Sequence, residues 1–273
     1  MIKLLTRRIK DPMGLTKKLL YLLTALTAVL IICLLLLIIL GPRDVFTEPV
    51  RNAPTLELSE REATLDSSLD YGAHYIDSTI FLGDYTTAHL LELNLLSSDS
   101  AAHQIWTGEN GDMPLDANIK NASIYLDESD SCKPLSLLLA ERRPERIIIT
   151  LGINNGVSYC SEDAFCDYYQ SLIDLIKENS PDTIIILQSI YPVTKSAQKN
   201  NPAISNERIN QANGWICDLA EENDVHFLYS ASVLMNAGGY LDPEYAEDDG
   251  INLNYNGYKT VLKYIRTHGT YEK

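Results

Sequence analysis

Positive charge is scarce. Against 37 Asp and Glu, the 273 residues carry 22 Lys and Arg, a net charge of −15. A general nucleic-acid binder needs a basic face to neutralise phosphates and is excluded. Cysteine is sparse too, five residues with no CxxC pair and no close pair of histidines, which argues against a zinc site. No internal repeat or low-complexity tract is present apart from one apolar run. The length suits one ordinary domain with extras and is too short for two large ones.

What charge there is lies unevenly. Residues 1–40 hold six cations (Lys3, Arg7, Arg8, Lys10, Lys17, Lys18) against Asp11 alone, a net of +5 that leaves −20 for the rest. Leu19 to Leu40 is an uncharged run of 22 residues. As a helix it would span ~33 Å, the thickness of a bilayer core, and it lacks the polar stripe of a buried soluble helix. The cationic flank predicts a cytoplasmic N-terminus (residues 1–18) and an exported body, as in a single-pass plasma-membrane protein. The run ends Ile39-Leu40-Gly41-Pro42-Arg43 with no small-residue cleavage pattern, so it reads as an uncleaved anchor. Cys33 sits mid-run as a small apolar residue. The exported cysteines (Cys132, Cys160, Cys166, Cys217) allow two disulfides, with Cys160 and Cys166 near enough for a local bridge, or else four free thiols.

Residues 41–78 read as a stalk, broken by Pro42, Pro49 and Pro54 and rich in acids, with a helix expected around Leu56–Leu69. From residue 79 to 273 the pattern alternates. Strand-length apolar runs (79–82, 104–107, 146–151, 183–190, 225–229) are separated by amphipathic segments (86–96, 135–141, 162–178, 206–223, 256–268). IIITL and TIIILQSI are apolar on both alternations, as strands buried on two faces must be. The expectation is an α/β domain, a three-layer doubly wound parallel sheet of the flavodoxin-like kind. Ligands in such sheets bind beyond the carboxyl ends of the strands.

Those ends carry GDYTT (83–87), LGINNG (151–156) and, before the last helix, DDGINLNYNGY (248–258). These blocks resemble the GDS, GxND and DGIHLN-x-x-GY blocks of SGNH (GDSL-type) hydrolases, with Gly111, or Gly108 as second candidate, in the place of their central glycine. The resemblance covers about Thr79 to His268. It implies ester hydrolysis without a cofactor or metal: a Ser nucleophile, a His base oriented by an Asp, and an oxyanion hole built from the nucleophile's N–H, the glycine and an Asn. Carried over, the Asp is Asp249, the Asn is Asn154, the glycine is Gly111, and Asp84 stands beside the nucleophile position.

The two reactive positions differ. Tyr85 stands where the Ser belongs and Asn252 where the His belongs. An amide neither takes nor gives a proton at usable pH, and a phenol ionises only near pH ~10. Thr86, Thr87 and His89 are the neighbours able to substitute. His89, in the following helix, reads as an ordinary helix residue, and none of His74, His103, His226 and His268 falls at the base position. The leading expectation is therefore a membrane-tethered domain that has lost hydrolysis and binds an envelope glycan, an acyl group or a protein partner. The alternatives are an esterase or deacetylase on envelope polysaccharide or lipid with an unusual nucleophile, and a structural ectodomain whose pocket Tyr85 closes.

Overall fold

The computed structural model describes Thr24, Thr27 and residues 58–97, 101–126, 129–153 and 155–273, without the side chains of 101 and 102. The chain divides into two units, residues 1–50 and 51–273. Of the first, only Thr24 and Thr27 are described, both helical, with the Thr27 hydroxyl donating to Thr24 O at 2.9 Å. The basic segment and nearly all of the apolar run 19–40 thus lie outside the described residues. Among the described residues no helix is long and apolar enough to cross a membrane.

The second unit runs α1 (Gly72–Asp77), β1 (Thr79–Gly83), α2 (Tyr85–Glu92), α3 (Ala101–Gln104), β2 (Ile105–Trp106), β3 (Ser123–Leu126), β4 (Ser131–Pro134), α4 (Leu135–Arg142), β5 (Arg146–Thr150), α5 (Gly156–Tyr159), α6 (Glu162–Asn179), β6 (Ile184–Gln188), α7 (Lys195–Asn200), α8 (Asn206–Glu222), β7 (His226–Leu228) and α9 (Tyr255–Thr267). The main sheet has the order β2-β1-β5-β6-β7 and every pairing in it is parallel. Counting only its own strands, that is the order 2-1-3-4-5 of a flavodoxin-like sheet, whose switch point lies between β1 and β5.

The central strands β5 and β6 are buried at every residue, which is why their sequences are apolar on both alternations. Ile147 and Ile149 join Phe165, Tyr169 and Ile216 of α6 and α8 in one core. Ile148 and Ile186 join Tyr258, Val261 and Ile265 of α9 in the other. The sheet is thus covered on both faces. Helix α6 begins where the Ala164 N–H donates to Ser161 Oγ, with Glu162 and Asp163 in its first turn, where carboxylates complement the helix dipole.

The described half of the expected stalk, residues 58–78, belongs to the packed unit. Leu58 is buried, the Phe227 N–H donates to Ala63 O at 2.7 Å and the Leu65 N–H to Phe227 O at 2.9 Å. Arg61 pairs with Asp218 and Glu221 of α8. The segment lies along the open edge of β7, covering unpaired strand groups that would otherwise template association. Of the helix expected around Leu56–Leu69, residues 56 and 57 lie outside the described residues, Leu58 is helical, and 59–69 form turns and this edge strap; the next helix is α1. The antiparallel hairpin β3–β4 is a further element without a counterpart in the expected pattern. Cys132, Cys160, Cys166 and Cys217 are free thiols, and the Cys160–Cys166 bridge is not formed. Burial raises the thiols of Cys166 and Cys217 to about 11.

Candidate functional site

The carboxyl ends of β1 and β5 diverge at the switch point, and the chain there supplies the site. Asp84 leaves β1 and caps α2: its buried Oδ1 accepts the Thr86 N–H at 3.1 Å and the Thr86 hydroxyl at 2.8 Å. The Thr86 hydroxyl is thereby committed to a carboxylate that is itself a cap. Tyr85 is the first residue of α2 and half-buried. Burial raises its phenol well above the ordinary range, and the neighbouring carboxylates of Asp84 and Asp249 push it further.

Gly111 is brought to the same place. It has φ +75°, and a Cβ on it would lie 3.0 Å from Ala88 Cβ and 3.2 Å from Tyr85 Cα. Its backbone therefore passes directly against the first turns of α2, an approach and a conformation that favour glycine. Its N–H donates to Gly108 O at 3.0 Å, so the group that the resemblance assigns to an oxyanion is already engaged. Asn154 lies outside the described residues.

The third component is the loop before α9. Gly250, at φ +70°, leaves no room for a Cβ beside Thr194 Oγ1, and its carbonyl accepts the Thr194 N–H at 2.9 Å. That contact pins the loop to the start of α7. Asp249 Oδ1 accepts the N–H groups of Ile251 at 2.8 Å and Asn252 at 2.9 Å. Its Oδ2 accepts the Asn252 side-chain amide at 2.6 Å. Asn252 thus holds the carboxylate as an imidazole would, but with a group that exchanges no proton. Its Oδ1 is shielded from water without a hydrogen-bond partner.

Burial pushes the Asp249 carboxyl upward, yet the three hydrogen bonds from Ile251 and Asn252, together with nearby His89, outweigh it and hold the pKa below its ordinary 3.8. A carboxyl depressed on folding contributes stability that is complete above its unfolded value and is lost as pH falls through the folded one. Asp249→Asn should accordingly flatten the acid limb of a thermal-denaturation profile below about pH 4 and leave the profile at pH 7 parallel to wild type. An unchanged acid limb would show that the loop bonds do not favour the ionised form.

His89 has a larger part in the site than an ordinary helix residue. It lies one turn after Tyr85 on the same face of α2, its ring 5.9 Å from that of Tyr258. Its Nδ1 is 2.8 Å from Glu92 Oε2, and its Nε2 is shielded with no hydrogen-bond partner. No hydroxyl at the site therefore has His89 as its base. His226 opens β7, at the end of a parallel strand remote from the site. His74 and His103 lie in α1 and α3, and His268 follows α9, stacked on Tyr264 at 3.7 Å.

Tyr191, which follows the strand TIIILQSI, and Tyr258 complete the arrangement, neither having been given a role from sequence. The Tyr258 hydroxyl donates to Thr86 O, and the two rings meet edge to face at 6.3 Å. The signal for Tyr258 was present as the last residue of DDGINLNYNGY. Among the described residues, Asp84, Thr86, Thr150, Ile153, Tyr191 and Ile251 help to line a cavity of about 10 Å³, room for a single water at most. No three His, Cys, Asp or Glu side chains among the described residues converge as a metal site.

Comparison with known proteins identifies the family. Residues 92–260 match the profile described as GDSL-like Lipase/Acylhydrolase family, a match that begins after the block containing Tyr85. Among solved structures, the chain is similar to the lipase/acylhydrolase from Enterococcus faecalis (15% identity, TM-score 0.46, covering 71% of this chain and 98% of that one). It is also similar to a GDSL-like lipase from Bacteroides thetaiotaomicron (18%, 0.44, 68% and 83%) and to a carbohydrate esterase family 3 protein from Talaromyces cellulolyticus (14%, 0.44, 69% and 93%). No curated protein matches the sequence.

Proposed function

The chain belongs to the GDSL-like lipase/acylhydrolase family, and from that premise we propose that it is a member that binds at the inherited site instead of hydrolysing there. The domain would stand outside the plasma membrane, tethered by residues 19–40 with the basic N-terminus in the cytoplasm; the charge asymmetry and the uncharged run support this orientation. The observation that carries the loss of hydrolysis is the pair Asn252–Asp249. The carboxylate and its partner are held in the geometry of an orienting acid and a base, at 2.6 Å, but the partner is an amide. A hydroxyl nucleophile without an adjacent base stays protonated, and Tyr85 is pushed away from ionisation by burial and by two carboxylates.

The bound chemistry follows from what the site leaves unsatisfied. Asn252 Oδ1 is a shielded acceptor with no donor, and His89 Nε2, across the Asp249 loop, is a shielded ring nitrogen with no partner. Buried polar atoms of this kind cost free energy until something pairs with them. Both atoms are covered in this structure, so a ligand reaches them only as the Asp249 loop moves aside; a hydroxyl-bearing ligand then supplies the missing donors, which favours an envelope glycan over an acyl chain. The full-length protein should hydrolyse p-nitrophenyl acetate no faster than its Tyr85→Phe variant, and soluble envelope-glycan fragments should raise its melting temperature by an amount that Asn252→Ala abolishes. A rate that depends on Tyr85 would overturn the reading in favour of an active esterase. No shift with any fragment would favour a purely structural ectodomain.

A further inference from the structure

A second cavity, sharing no residue with the site above, runs along one face of α9. It measures about 560 Å³, inside the range of small-molecule sites and many times the space at the switch point. Ile76, Leu96 and Leu262 give it apolar walls, and Lys259, Lys263 and Arg266 line it as cations. Spacing of four and three residues puts those cations on one helical face. In a chain of net charge −15, a lining with three cations against two acids, Asp77 and Glu244, is a local inversion of sign.

Arg266 bonds Asp70 at 3.1 Å, yet its Nε has no acceptor and is shielded from water. Lys259 and Lys263 are exposed, and neither has an ion-pair partner among the described residues. Asp77 and Glu244 also line the cavity, but Asp77 accepts the Ser97 hydroxyl at 3.1 Å and neither acid pairs with the lysines. Apolar walls with unpaired cations fit a ligand that is greasy along its length and negative at one end.

We infer that this groove binds a single-chain amphiphile with a carboxylate head, a fatty acid. Its chain lies against Ile76, Leu96 and Leu262, and its carboxylate is met by Lys259 and Lys263, with Arg266 adding a donor. The inference stands whether or not the switch-point site hydrolyses esters.

The test uses the full chain in nanodiscs of zwitterionic lipid, photolabelled with decanoate bearing a terminal diazirine, and with the matching decanol as neutral control. Labelled positions are read by peptide mass spectrometry. The expected result is saturable labelling of the α9 peptide, stronger for the acid than for the alcohol by about tenfold. It should be lost in Lys259→Glu/Lys263→Glu, which alters exposed side chains only. Thr260→Trp, which fills the groove without changing charge, should lose it as well and decides the matter if the charge reversal misfolds. Labelling that does not saturate, that is equal for acid and alcohol, or that survives both variants overturns the inference.

Discussion

Exchanging Tyr85 for Ser and Asn252 for His together should raise hydrolysis of p-nitrophenyl acetate by the full-length protein about 10²-fold, while either exchange alone leaves the rate unchanged. General-base assistance is worth ~10²–10⁴ in rate, and the members of such a unit act together or not at all. The orienting half already exists. Asp249 is fixed by two backbone N–H groups and holds the side chain at position 252 through its second oxygen at 2.6 Å. An imidazole there inherits a carboxylate partner that sets its tautomer, as Asp does in other acyl-transfer triads.

The gain is placed at the low end of the range for two reasons on the other side of the centre. The Gly111 N–H is donated to Gly108 O and must be recovered before it can stabilise an oxyanion, a donor worth ~10² or more by itself. The adjoining cavity holds about 10 Å³, too little for a tetrahedral intermediate, so the exchange at position 85 must also make room. A folded double variant with no gain would mean that position 252 does not face position 85. The inherited geometry would then be broken as well as the chemistry, and the binding site would have to be sought elsewhere.

Much of the fold and site was legible in the chain because the relevant physics is local. Two-sided burial writes itself into IIITL and TIIILQSI. A strand end that turns into a helix writes itself into GDYTT, and a pinned loop into Asp249-Gly250. The sheet follows from those, while the grouping of Tyr85, Gly111, Asp249 and Asn252 comes from the family resemblance of the blocks. What escaped depends on distant partners. Residues 63–65 carry no strand signature of their own and pair only because the edge at Phe227 lies open. The hairpin β3–β4 is largely exposed and therefore has little apolar alternation to read. His89 looks like any helix residue until Tyr258 and the Asp249 loop, over 150 positions away, are folded against it. The groove along α9 is likewise assembled from segments near residues 76, 96 and 262.

Arg146 is the sharpest case of that limit, and its removal should be the most destabilising single change in the domain. In sequence it marks the polar start of an apolar run. In the fold it is wholly buried at the amino end of the central strand β5, at the opposite end of the sheet from the site. One Nη donates to Ser78 Oγ at 3.1 Å and Thr79 Oγ1 at 3.3 Å, and the other reaches Glu145 at 2.7 Å. The guanidinium lies 3.9 Å from the ring centroid of Tyr75 and 5.0 Å from that of Tyr271. It therefore ties α1, β1 and the carboxyl terminus to the central strand. Arg146→Ala should cost about 3 kcal/mol, near the low end for breaking a buried charged network, because Glu145 remains solvated when its partner is lost. Lys at this position keeps the charge but neither the fork nor the flat face that stacks on tyrosine, and should recover less than half of the loss. Met, which fills the space without a charge to desolvate, should recover more than Lys does. Pulse proteolysis across a urea series gives the order: the midpoint should fall least for Met and most for Ala, with an unchanged slope. If Lys proves the mildest substitution, charge pairing holds this end of the sheet, and stacking on Tyr75 and Tyr271 does not.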